Sequence, residues 1–77
     1  MEAEYERNYE DLAELLKKQG GNYNYPLIRR AYEVCVQAHK GQHRFSKEEF
    51  YLHPLSVAKI VAQLGMDSES IVAALLH

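Results

Sequence analysis

Apolar positions along the chain fall into four runs at helical spacing, separated by breaks rich in glycine, proline or charge. In the first run Tyr5, Tyr9, Leu12 and Leu16 recur at i, i+4, i+7 and i+11, with Leu15 beside them and Glu, Asp and Lys elsewhere. That spacing predicts an amphipathic helix over 4–19, with its acids early and Lys17 and Lys18 late, the sense the helix dipole favours. Gly20-Gly21 stops it, and the following Asn-Tyr-Asn-Tyr reads as linker. The tyrosines read as packing groups whose hydroxyls stay wet. Pro26 suits the first position of a second helix over 26–41, with Ile28, Ala31, Cys35 and Ala38 as its stripe and Leu27 and Val34 flanking. Pro54 opens a third helix over 54–64 and places His53 at the N-cap. Its stripe reads Val57, Ile60, Val61 and Leu64, widened by Leu55, Ala58 and Ala62, and Gly65 ends it. A fourth helix follows over 67–76, with Asp67 as N-cap, Glu69 in the first turn and Met66 placed to staple onto Ile71. The expected fold class is all-α, four helices with an irregular stretch over 42–52.

The fourth run, Ile71, Val72, Ala74, Leu75 and Leu76, is apolar on nearly every side and calls for burial all round. The chain ends at His77 in mid-pattern, so the run is expected to find cover by self-association into a homo-oligomer, with Leu75 in the interface.

Composition changes this picture little. The chain has 77 residues, one cysteine and therefore no internal disulfide, which suits one small domain or a piece of one. No apolar run approaches the ~20 residues of a membrane span. The acidic start lacks the order of a secretory signal, so a cytoplasmic protein with no membrane partner is expected. Charge is more telling. Residues 1–16 carry six acids against one base, residues 17–47 seven bases against one acid, and residues 48–77 four acids against one base. The basic middle favours an anionic ligand, although Lys17, Lys18, Arg29 and Arg30 read as solvated helix surface. A pI near 6.0 argues against a general nucleic-acid footprint, so no DNA partner is expected.

Candidate chemistry gathers in His39–Pro54, which holds three of the four histidines between two helical patterns. His39 reads as a helix-end histidine bonding the last carbonyls or the following loop, and Cys35 as a small buried hydrophobe. His53 and His77 flank a helical hairpin. Two neutral imidazoles on separate helices can hold a divalent ion only when carboxylates or further histidines complete four to six positions. Spacing alone leaves open whether such a pair is a site or an adventitious one.

The string HKGQHRFS…YLHPLSVAKIVAQLGMDSESIVAALLH resembles the amino-terminal hydrolase domain of the RelA/SpoT family, the enzymes of the (p)ppGpp alarmone. His39, Gly41, Gln42, Arg44, Ser46, His53, Pro54, Val57, Ala58, Leu64, Gly65, Asp67 and the Ala73–His77 run carry the likeness, which covers residues 27–77 behind a helical lead-in over 4–19. The resemblance implies a partial HD-type, metal-dependent phosphohydrolase domain spanning 1–77. It implies removal of the 3′-pyrophosphate from guanosine tetra- or pentaphosphate, with manganese as the typical metal. It assigns His53 and His77 as metal ligands and Arg44, with Phe45 and Ser46 beside it, as the nucleotide-binding group. A planar guanidinium suits stacking on a purine. It assigns no catalytic residue within this chain, because the aspartate of the His-Asp pair and a distant metal aspartate fall beyond residue 77. The family's Ser-Gly-x-Pro turn reads Ser46-Lys47-Glu48-Glu49, and Phe45 stands where a basic residue is common. Two readings follow: the amino-terminal part of a (p)ppGpp hydrolase or bifunctional synthetase/hydrolase, or a short non-catalytic helical module that binds a partner through its fourth helix.

Overall fold

In a computed structural model that describes residues 2–39 and 51–76, four helices follow one another: α1 (Glu2–Gln19), α2 (Tyr25–Ala38), α3 (Leu52–Gln63) and α4 (Ser68–Leu76). Among the described residues none is in a strand, as the helical periodicities required. α4 packs against both α2 and α3, and α1 closes the ring against α3 and α2. The boundaries follow local chemistry. Asn24 caps α2 by accepting the Leu27 N–H on Oδ1 at 3.2 Å, with Pro26 in the first turn. Asp67 Oδ1 accepts the Ser70 N–H at 2.9 Å and caps α4 as its position suggested. At the end of α3 the Gly65 N–H donates to Ala62 O at 2.9 Å and the Met66 N–H to Val61 O at 3.4 Å. That pair is a Schellman closure, and it requires the left-handed φ of +77° found at Gly65. His39 ends α2 with its main-chain N–H on Cys35 O at 3.2 Å.

The core is built from Leu12 and Leu16 of α1, Ile28, Ala31, Tyr32, Cys35 and Val36 of α2, Tyr51, Leu55, Ala58 and Ala62 at α3, and Ile71 and Leu75 of α4. Cys35 is the buried small hydrophobe it reads as. Several expectations are corrected. α3 begins at Leu52, so His53 lies inside the first turn rather than at the N-cap, which Tyr51 occupies. The core face of α3 is not Val57, Ile60, Val61 and Leu64: Val61 is half-buried, while Ile60 and Leu64 are 56% and 71% exposed. The smaller side chains Ala58 and Ala62 face inward instead, because they let neighbouring helices approach closely, which a branched residue would prevent. On α2, Tyr32 and Val36 take the inner positions expected of Ala38, and Leu27 and Val34 are exposed.

α4 does not offer Leu75 to a partner. Ile71 and Leu75 are 0% and 1% exposed within this chain, and Leu76 is left outside. The tyrosines are not uniformly wet either. The Tyr32 hydroxyl donates to Tyr5 O at 2.7 Å, and the Tyr51 hydroxyl accepts from Asn8 Nδ2 at 2.7 Å. Arg29 is not merely solvated: it pairs with Glu6 of α1 and with Glu33 at 2.9 Å, and its guanidinium lies 4.8 Å from the Tyr9 ring centroid. The Arg29 hydrogen bond holds the Glu6 carboxyl below its usual range. Of the irregular stretch expected over 42–52, Tyr51 and Leu52 belong to the α3 start, and the rest lies outside the described residues.

Candidate functional site at the start of helix α3

His53 is exposed on the outer face of α3, in register with Val57, Ile60 and Leu64 at i+4, i+7 and i+11. The imidazole thus heads an apolar face that nothing among the described residues covers. What fixes this end of the helix is the residue two positions earlier. Tyr51 turns its ring into the core, 5.1 Å from Tyr5 edge-on and 6.2 Å from Tyr32, both centroid to centroid. Its carbonyl accepts the Leu55 N–H at 3.1 Å, the first bond of the helix.

Sequence reading did not single out Tyr51, Tyr32 or Asn8. A signal for Tyr51 exists: positions 51, 55, 58 and 62 continue the true inner stripe back by one turn. The bond from Asn8 carries no local signature, since its partner lies 43 residues away.

The other assigned residues, Arg44, Phe45, Ser46 and His77, lie outside the described residues, as does the expected approach of His53 to His77. Among the described residues no three His, Cys, Asp or Glu side chains gather as a metal site. A divalent ion takes four or more ligands, so the described residues do not themselves complete a metal centre. Of the described cations of the basic middle, Lys17, Lys18 and Arg30 are exposed, and Arg29 is engaged by two carboxylates. It lines a groove of about 440 Å³ with Tyr5, Glu6, Tyr32 and Glu33, a wall chemistry with no claim on an anion.

The HD-domain profile matches residues 31–77, from the middle of α2 to the chain end. The chain belongs to the HD-domain family. This HD-domain chain is 53% identical over 51 residues to the bifunctional (p)ppGpp synthase/hydrolase RelA of Mycobacterium tuberculosis, a span of 66% of this chain and 7% of the relative. It is 46% identical over 72 residues to the guanosine-3′,5′-bis(diphosphate) 3′-pyrophosphohydrolase of Aquifex aeolicus, covering 88% of this chain and 10% of that protein. Against the bifunctional (p)ppGpp synthase/hydrolase SpoT of Escherichia coli K12 it is 39% identical over 69 residues, 90% of this chain and 10% of the relative. The HD-domain chain therefore spans a tenth or less of the length of these relatives. No solved structure matches it. The likeness to the RelA/SpoT family read from the His-Pro and Ala-Ala-Leu-Leu-His strings is borne out, and so is the all-α, HD-type fold class. HD-domain hydrolases are metal-dependent, which supports a divalent ion as the family's cofactor in general. Among the described residues no helix is long and apolar enough to cross a membrane.

Proposed function

We propose that residues 1–77 form the amino-terminal portion of a guanosine-3′,5′-bis(diphosphate) 3′-pyrophosphohydrolase or bifunctional (p)ppGpp synthetase/hydrolase, acting in the cytoplasm. The observation that carries this reading is the HD-domain match over 31–77, together with relatives whose names state that activity. On this reading α1 is a lead-in, and the family-like region runs from 27 to 77. His53 and His77 hold a divalent ion, Mn²⁺ for preference, together with carboxylates that this stretch does not contain. Bound there, the ion supplies an activated water and charge neutralisation for the phosphates. Arg44 stacks on the guanine, with Phe45 and Ser46 beside it.

An exposed imidazole at the head of an uncovered apolar face supports the reading, because later parts of a larger domain can both cover that face and bring acidic ligands to His53. The competing reading, a stand-alone module docking through α4, loses its basis once Ile71 and Leu75 are buried inside the chain.

The test is a graft. This chain replaces the matching segment of the Aquifex aeolicus pyrophosphohydrolase, and pyrophosphate release from ppGpp is followed with Mn²⁺. Restored turnover that His53→Ala abolishes is expected. A graft that melts cooperatively but leaves ppGpp intact would overturn the proposal. The 77-residue chain alone is expected to show no turnover, because His53 and His77 without carboxylates neither fix an ion nor supply a general base.

A further inference from the structure

We propose that α1 is a brace that sets the start of α3, with Asn8 and Tyr5 positioning His53 through Tyr51; the proposal rests on the reading of His53 as a functional group. Among the described residues, hydrogen bonds from Asn8 and Gln19 tie α1 to α3 and its N-cap. Asn8 Nδ2 donates to the Tyr51 hydroxyl at 2.7 Å, and Gln19 Nε2 donates to Ala62 O at 2.6 Å. Both join residues 43 positions apart, so the two helices run parallel in one register. Eleven residues separate the bonds on each helix, which is three turns and one face. The pair acts as rivets at opposite ends of α3.

Only the first rivet is near His53. Tyr51 stands at the N-cap, where Ser, Thr, Asp or Asn normally fixes the first turn through a side-chain oxygen, and it makes no such bond. Its side chain is turned into the core, where Tyr5 meets the ring edge-on and Asn8 holds the hydroxyl. Tyr5 is itself fixed from α2, because its carbonyl accepts the Tyr32 hydroxyl. The first turn, and the imidazole two residues on, is therefore located by α1 rather than by a local cap. His53 lies two residues after Tyr51 in the first turn of α3, so a change in where the helix starts carries the imidazole with it.

Asn8 and Tyr5 are positioning residues, and the distinction from simple stabilisation is measurable by comparing the rivets. In the 77-residue chain, Asn8→Ala and Gln19→Ala each remove one α1–α3 bond. Tyr51→Phe removes the hydroxyl while keeping the ring, and covers the case in which Asn8→Ala fails to fold. Amide exchange and the His53 ring resonances are read by NMR. Asn8→Ala and Tyr51→Phe are expected to shift the His53 ring signals and to speed exchange at the Leu55 amide on the order of fivefold, the worth of one hydrogen bond of about 1 kcal/mol. The Leu64 amide should keep its protection. Gln19→Ala should do the reverse. Exchange that rises alike along α3 in all three variants, or His53 signals unmoved by Asn8→Ala and Tyr51→Phe, would overturn the brace. The graft into the Aquifex aeolicus enzyme tests the reading of His53 as a metal ligand separately, so the amide and ring signals of the 77-residue chain decide the brace on their own.

Discussion

At neutral pH Cys35 and Tyr32 sit in the core as uncharged groups, and burial keeps them so. The thiol is pushed up to about 11, and the Tyr32 phenol is raised by burial first and by Tyr51 beside it second. Both bind their protons more tightly folded than unfolded. Their contribution is full below the ordinary thiol range and is lost as pH climbs through it toward the folded values. Denaturant melts are expected to show stability falling between about pH 9 and 11, by as much as ~2–3 kcal/mol from the thiol. Cys35→Ala should flatten that part of the profile while lowering stability at neutral pH. At this scale the sequence spoke clearly where a residue's role is local: Cys35 in an apolar stripe, Asp67 ahead of a helix. It was silent where the partner is remote. The Arg29–Glu6 pair and the Asn8–Tyr51 bond join residues 23 and 43 positions apart, and no spacing rule pairs them.

Helix limits were legible because glycine, proline and capping residues act locally, and α1 to α4 begin and end within a few residues of the periodicity. The choice of inner face was not. α3 carries two candidate stripes, one of Val, Ile and Leu and one of Leu and Ala, and hydropathy favours the first. Close helix approach favours the second, and only the three-dimensional packing decides. Between α3 and α4 the hinge of the hairpin is testable. A Cβ at Gly65 meets nothing within 4 Å, so the penalty of Gly65→Ala comes from its positive φ alone. A loss of about 1 kcal/mol is expected by chemical denaturation, with Gly65→Asn costing less. Asp67→Ala should lower the melting temperature at neutral pH and make no difference in acid. Its carboxyl is held below the usual range by the Ser70 hydroxyl and N–H, so its cap is present above that range and lost as pH falls through the folded value.

For the whole molecule, the faces turned outward matter as much as the core. Val57, Ile60 and Leu64 on α3 and Leu76 on α4 remain open among the described residues. On the proposal of a self-associating chain, these residues and not Leu75 form the interface. Sedimentation at micromolar concentration should show a dimer or larger species that Ile60→Glu with Leu64→Lys converts to a folded monomer. Association that survives the pair would place the contact elsewhere. Leu55→Ala, by contrast, opens a core cavity and should cost about 2–5 kcal/mol. The candidate site was legible only as far as His53 and its family string; its support from α1 was not, because it depends on which helix lies alongside.

That matched register also bears on the order in which the molecule assembles. The turn between α3 and α4 closes over a few residues, so this hairpin can form on its own while the chain is otherwise open. The α1–α3 contacts span 43 positions and must close a long loop before any of them is gained. A nucleus of α3 and α4 with α1 docking late is the expected route. Chevron kinetics would show it: Gly65→Ala should mainly slow folding, whereas Gln19→Ala should mainly speed unfolding. A refolding chain would then hold its His-Pro helix, in a loosely started form, before α1 docks to seat it.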